Sequence, residues 1–282
     1  MRYIGKVQAG EIGLGAMPLS IEGRPDEARA IATVHAALDA GVRLIDTADS
    51  YHWHAGERGH NELLVAKAVK GRDALVATKG GRGRPGDGSW TVDGRPESLV
   101  AACEGSLSRL GVEAIGLYQL HKPDEEVPWA ESVGALRTLL DAGKIRMAGL
   151  SNVTSEQILQ AREILGDDLV SVQNRYSPEV RDSEPELELC TELGIAFLPW
   201  SPLGGVSRSS LEQGAAPHAD GAFHAVAAER GISPQRVCLA WHLSRSPVVI
   251  PIPGASRPSS IADSAQAAGL VLTPEELALL PA

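Results

Sequence analysis

Short apolar runs, often β-branched, recur along the chain, and the stretches between them carry helical spacing. The runs are IGLGAM from Ile12, VRLIDTA from Val42, ALVATK from Ala74, IGLYQLH from Ile115, IRMAGLS from Ile145, LVSVQN from Leu169, IAFLPWS from Ile195 and VVIPIPG from Val248. Runs that are apolar at nearly every position suit strands buried on both faces, as in parallel sheets. Between them, Ile31, Val34 and Leu38 lead to Gly41, Leu99, Cys103, Leu107 and Leu110 to Gly111, and Val133, Leu136 and Leu140 to Gly143. That spacing gives a helix one apolar face, and glycine tolerates the turn that ends it. Thr154 with Gln157 and Thr273 with Glu276 read as capping boxes.

Eight strands alternating with helices predict an α/β fold: a (β/α)8 TIM barrel of parallel strands with its active site at the C-terminal rim. An open doubly wound sheet more often stops at about five to seven strands, so the count favours closure without proving it. The 282 residues fit one such domain, 1–282, with no linker that would split it. Two loops are long for a compact domain, Gly80 to Arg95 and Leu203 to Gly221. Both follow predicted strands, and loops of this length are usually functional or mobile.

A hydrophobic fraction of 43% and a charged fraction of 22% leave ample material for a core. A formal charge of -10, with no basic cluster, works against a nucleic-acid role. The start, MRYIGKVQAG, lacks the apolar centre of a signal peptide, and no run approaches a membrane span. The expectation is a soluble cytoplasmic protein, with Cys103, Cys190 and Cys238 as core residues in a reducing compartment.

Ionisable and polar residues gather where the predicted strands end. Asp46 closes the second, Lys79 the third and His121 the fourth; Ser151 and Asn152, then Gln173 and Asn174, then Trp200 and Ser201 end the next three. Singly, each reads as a cap or a solvated side chain. Jointly, an acid, a base and an imidazole ending three successive strands point to a site. Tyr51, five residues past Asp46, can fold back over that rim. A phenol is a poor acid near neutrality, but an ammonium favours its anion and lowers its pKa, and a carboxylate holds that ammonium charged. Asp46, Lys79 and Tyr51 supply those parts, and His121 can polarise a substrate carbonyl.

Here the sequence resembles the aldo-keto reductase family, through DTADSY at Asp46, ATKGG at Ala77, YQLHKPD at Tyr118, GLSN at Gly149, VQNRYSP at Val172, PWSPLGG at Pro199 and IPGASR at Ile252. The resemblance implies reduction of an aldehyde or ketone by NADPH, with Tyr51 as proton donor, Lys79 and Asp46 tuning it, and His121 orienting the carbonyl. It implies cofactor contacts from Ala16 and Met17, from Ser151, Asn152 and Gln173 at the carboxamide, and from Trp200 stacked on the nicotinamide. Ser201, Pro202, Leu203 and Gly204 match the pyrophosphate segment. Gly254, Ser256, Arg257, Ser260, Asp263 and Ser264 match the adenosine end, where Arg257 suits a 2′-phosphate because its fork pairs bidentately and it begins a predicted helix.

His52 and Trp53, directly after Tyr51, and Trp90 in the following loop are candidates for the substrate pocket. The sequence departs from the family in HWHAGERGHNE, where a glycine commonly follows the tyrosine and the pair matching Asn61 and Glu62 comes sooner. It departs again at Asp263 and Ser264, where the family often has Glu-x-x-Asn, and it lacks a long C-terminal tail. The GSW loop is similar to that of the pyridoxal-reductase-like branch.

Two patterns point elsewhere. Gly81, Gly83 and Gly86 spell GxGxxG, but Pro85 interrupts it and DGSWTVDG follows in place of a helix, so it is not read as a Rossmann site. His52, His54 and His60 with Glu57 and Glu62 match no tight zinc spacing, so no metal is expected. Two other functions compete: a nicotinamide-binding regulatory subunit with little turnover, and a Schiff-base aldolase with Lys79 as nucleophile. Beyond a small carbonyl substrate no partner is expected, and the chain is read as a monomer or weak homo-oligomer.

Overall fold

The computed structural model describes residues 1–207 and 221–281. Its strands are β1 (Tyr3–Ile4), β2 (Val7–Gln8), β3 (Leu14–Gly15), β4 (Leu44–Asp46), β5 (Leu75–Gly80), β6 (Arg82–Gly83), β7 (Thr91–Val92), β8 (Leu117–Leu120), β9 (Ala148–Ser151), β10 (Leu169–Gln173) and β11 (Ala196–Phe197). Seven form one curled parallel sheet in the order β3-β4-β5-β8-β9-β10-β11. Sequential parallel neighbours need crossovers, and helices supply them. These are α1 (Glu27–Asp39), α2 (His60–Val69), α3 (Pro96–Leu110), α4 (Trp129–Asp141), α5 (Ser155–Leu165) and α6 (Glu184–Leu193). After β11 come α7 (Ala222–Arg230), α8 (Pro234–Arg245), α9 (Pro258–Ala265) and α10 (Pro274–Leu279).

The eighth predicted run, VVIPIPG, is not a regular strand. Pro251 and Pro253 have no N–H to donate, so a continuous ladder cannot form through them. The segment nevertheless bonds on both sides. Phe197 N donates to Val248 O (2.9 Å) and Ile250 N to Phe197 O (2.8 Å), while Gly13 N donates to Pro251 O (2.9 Å) and Gly15 N to Pro253 O (3.0 Å). Those partners belong to the two edges of the sheet.

Strand periodicity sorts the side chains. Leu44, Leu75, Ala77, Leu117, Ala196, Leu198, Ile250 and Ile252 join Ile4 and Ala9 in one cluster. On the other face, Tyr118 and Leu120 of β8 pack with Leu99, Cys103 and Leu107 of α3 and with Val133 and Leu136 of α4. Ile45 likewise meets Val34 and Leu38 of α1 and Leu64 and Val65 of α2. Each buried Leu or Ile contributes about 1.5–3 kcal/mol, several times what helix propensity gives per residue, so tertiary packing holds these helices.

The helix signals in the sequence appear as structure. Gly111 caps α3 at φ 68°, and Thr154 with Gln157 and Thr273 with Glu276 close reciprocal capping boxes on α5 and α10. Two features differ from the expectation. The segment 80–95 is not an open loop, because β6 pairs antiparallel with β7 to make a small hairpin. The first residues, read only as lacking a leader, pair as β1 and β2 and bring Ile4 into the cluster named above. Of the second long loop, residues 208–220 lie outside the described residues. All three cysteines are buried with free thiols, and burial pushes those of Cys103 and Cys190 up to about 12. Among the described residues, no helix is long and apolar enough to cross a membrane.

Candidate active site

The two-residue period that buries Leu44, Leu75, Ala77 and Leu117 continues along the same faces into Asp46, Lys79 and Gln119. These polar side chains therefore meet one another. Lys79 is fully buried, and Asp46 is 2% exposed. The Lys79 ammonium donates to Asp46 Oδ2 (2.6 Å), to the Thr47 carbonyl (3.0 Å) and to the Tyr51 hydroxyl oxygen (3.1 Å). An ammonium has three N–H bonds, and all three are used. Asp46 Oδ1 accepts from the Gln173 amide at 2.8 Å and from the Gln119 amide at 3.5 Å. Both carboxylate oxygens thus have partners, as a buried charge requires.

Tyr51 is 6% exposed and His121 5% exposed, their rings edge-to-face with centroids 5.6 Å apart. Burial pushes the Tyr51 hydroxyl above its usual 10, against the opposing pull of Lys79. The expected depression by the ammonium is present but is outweighed, because desolvation of a phenolate is the larger effect here. Lys79 is driven down by burial and up by Asp46 and Tyr51, and the net direction is up, so it stays an ammonium. His121 is held well below its usual range by burial and by the charges of Lys79 and Arg82, and its Nδ1 is buried without a partner. The arrangement is a protonated phenol braced by a fixed cation beside a neutral imidazole.

A cavity of about 430 Å³ opens over these groups. Asp46, Tyr51, His121, Ser151, Asn152, Gln173 and Trp200 line it, as do Met17, Trp90, the run Ser201 to Gly204, Gly254 and Ser256. Lys79 lies behind Asp46 and Tyr51. Ala16 is fully buried, its carbonyl accepting from Asn61 (2.8 Å). Asn152, at φ 60°, donates to the His121 carbonyl (2.9 Å) and accepts from the Trp200 indole (3.1 Å), which ties three strand ends together. Arg257 is exposed at the N-cap of α9. Within that helix Ser260 is half-buried and Ser264 buried, and Asp263 is engaged by Ser233 and Arg236.

The structure does not bring His52 and Trp53 to the cavity wall. His52 is buried with Nδ1 2.9 Å from the His54 carbonyl, and half-buried Trp53 stacks on the His54 ring at 4.8 Å. The other polar groups of HWHAGERGHNE are spread out: His60 Nδ1 lies 2.8 Å from Ser20 Oγ, Glu57 pairs with Arg24 at 2.9 Å, and Glu62 pairs with Arg109 at 2.5 Å. Among the described residues, no group of three or more metal-ligating side chains is found.

Sequence reasoning missed Arg82 and Arg175, which both line the cavity. Each stands two residues past the end of a sheet strand, β5 at Gly80 and β10 at Gln173. It also missed Gln119, whose inward position follows from the two-residue step back from His121.

Comparisons with known proteins agree with one another. The family described as the aldo/keto reductase family matches residues 11–282. An uncharacterized oxidoreductase of Schizosaccharomyces pombe is 34% identical over 281 residues, covering 98% of this chain and 87% of that protein. Among solved structures, a glycerol dehydrogenase of Gluconobacter oxydans superposes with a TM-score of 0.83 at 30% identity, covering 98% of this chain and 92% of the other. An aldo/keto reductase of Klebsiella pneumoniae, in complex with NADP and acetate, superposes with a TM-score of 0.80 at 28% identity, with the same coverage.

Proposed function

The chain belongs to the aldo/keto reductase family, and from that premise we propose that it reduces an aldehyde or ketone to an alcohol with NADPH, Tyr51 giving the proton. One observation carries this reading. The Tyr51 oxygen already accepts from Lys79, and among the described residues its own hydrogen has no acceptor while the side chain lines the cavity. A donor so placed serves an acceptor that arrives with substrate. As the proton leaves, the buried ammonium 3.1 Å away stabilises the phenolate. His121, neutral, offers the carbonyl oxygen a second polar contact without adding a charge. Lys79 is ill suited to act as an amine nucleophile, since its three donors are engaged and it is fully buried.

The residues present fit a nicotinamide dinucleotide. The Gln173 amide donates to Asp46, and its oxygen, without a partner among the described residues, remains to accept from a carboxamide. The Trp200 plane lines the same wall. Exposed Arg257, at the start of α9, suits a phosphate. When bound, NADPH would supply the hydride. We read residues 1–282 as one barrel, with 248–254 as its eighth strand and the site at the C-terminal ends of the strands.

The test is loss of the reduced-nicotinamide absorbance with a panel of aldehydes and ketones. Tyr51→Phe is expected to lower turnover by about 10²–10⁴-fold with cofactor affinity retained. Undiminished turnover in that variant overturns the assignment. Tight NADPH binding without turnover of any carbonyl points to the regulatory reading instead.

A further inference from the structure

We propose that the carbonyl substrate carries an oxyanion, a carboxylate or a phosphate, and that Arg82 on the β6–β7 hairpin is the residue that selects it. The inference rests on the reductase reading above and deepens it.

Four arginines of neighbouring segments come with carboxylates: Arg84 meets Glu22 at 2.6 Å, Arg58 meets Asp49 at 2.5 Å, Arg24 meets Glu57 at 2.9 Å, and Arg109 meets Glu62 at 2.5 Å. Arg82 differs from these four. Among the described residues its side chain makes no hydrogen bond and no ion pair, and its Nε is buried with no acceptor. Its one close partner is the Trp90 ring, 4.5 Å from the guanidinium carbon. A guanidinium has five donors, and a half-buried one is costly unless something pairs with it. Burial accordingly pulls its pKa down.

The position says what that partner is. Arg82 lines the same cavity as Tyr51 and His121, and the Trp90 ring that braces it lies 6.5 Å, centroid to centroid, from each of those two rings. Measured through the Trp90 ring, the Arg82 guanidinium carbon is at most about 11 Å from the Tyr51 ring centre, within reach of a short carbon chain or one ring. The only acid lining the cavity among the described residues is Asp46, which Lys79 already neutralises. In a chain of net charge -10, this wall is locally positive, and such a cleft concentrates anions. Arg82 would pair bidentately with an oxyanion, a geometry that lysine does not reproduce.

The experiment uses the full chain with NADPH and matched aldehydes: succinic semialdehyde against its amide, para-carboxybenzaldehyde against para-formylbenzamide, and glyceraldehyde phosphate against glyceraldehyde. The expected result is a kcat/KM at least about tenfold higher for the anion of a pair. Preference confined to the carboxylates or to the phosphate identifies the source. Arg82→Gln should lower kcat/KM for each anion far more than for its neutral partner and so abolish the preference, with NADPH affinity retained, and Arg82→Lys should restore part of it. Active enzyme that treats anion and neutral alike overturns the proposal. So does Arg82→Gln that slows both equally, or one that weakens NADPH binding instead. If no aldehyde is reduced at all, the reductase reading fails, and benzoate against benzamide, read by tryptophan quenching with NADPH present, still decides the anion site. Benzoate binding that Arg82→Gln removes supports it; no benzoate binding overturns it.

Discussion

Lys79 is a fully buried ammonium, and Asp46 is its charged partner at 2.6 Å. Removing one member of a buried ion pair leaves the other charge uncompensated. Lys79→Met is therefore expected to cost about 3–5 kcal/mol of folding stability, read from urea midpoints. Adding Asp46→Asn to that variant should recover part of the loss, because the amide oxygen still accepts from Gln173, but it should not recover turnover. With Tyr51 as the proposed proton donor, its acid form is the reactive one, and burial raises its pKa above 10, so reduction should hold steady through neutrality and fall only at strongly alkaline pH. A fall centred below pH 8 in kcat, with cofactor saturating, would contradict that sign. The sequence made this residue set legible because chemistry stood at successive strand ends. It could not show that burial outweighs Lys79 at Tyr51, since desolvation depends on what packs around the ring. Arg82 and Arg175 were missed because an arginine just past a strand end reads as a solvated loop cation.

At the scale of elements, helices were the better advertised. Their apolar spacing, terminal glycines and capping boxes each rest on local geometry. Thr154→Ala removes the hydroxyl that accepts from Gln157 N on α5 and should lower stability by about 1 kcal/mol, measurable by thermal melting. Strands were found by apolar run, but their regularity was not. VVIPIPG reads as the others do, and only the two missing N–H groups make it bond to its neighbours without a continuous ladder. The β6–β7 hairpin escaped because GGRGRPGDGSW has no alternation to betray it. The β1–β2 pair escaped because two residues on either side of a turn are too few to show a period. HWHAGERGHNE lies beside Tyr51 in sequence, yet Trp90 from the hairpin meets the cavity where His52 and Trp53 do not. Sequence neighbourhood was a poor guide to spatial neighbourhood there.

At the scale of the molecule, the segment near the end of the chain bonds to the segment near its beginning, Gly13 and Gly15 to Pro251 and Pro253. That joins α1 and α9 as packing neighbours and sets Gly254 opposite Gly15 of β3. Count and order of elements favoured such closure without proving it; residues 208–220 lie outside the described residues. Two of the five tryptophans, Trp90 and Trp200, line the cavity, while Trp129 donates to the Gln157 carbonyl and Trp241 is buried among Tyr176, Phe223 and His242. The molecule thus carries its own optical gauge. Reduced nicotinamide absorbs where indole emits, so its arrival should dim the protein's ultraviolet fluorescence through energy transfer. Trp200→Phe should remove most of the cavity's share of that signal, with Trp90→Phe reporting on the hairpin side. Equal dimming in both variants and in the parent would mean that the cofactor rests elsewhere.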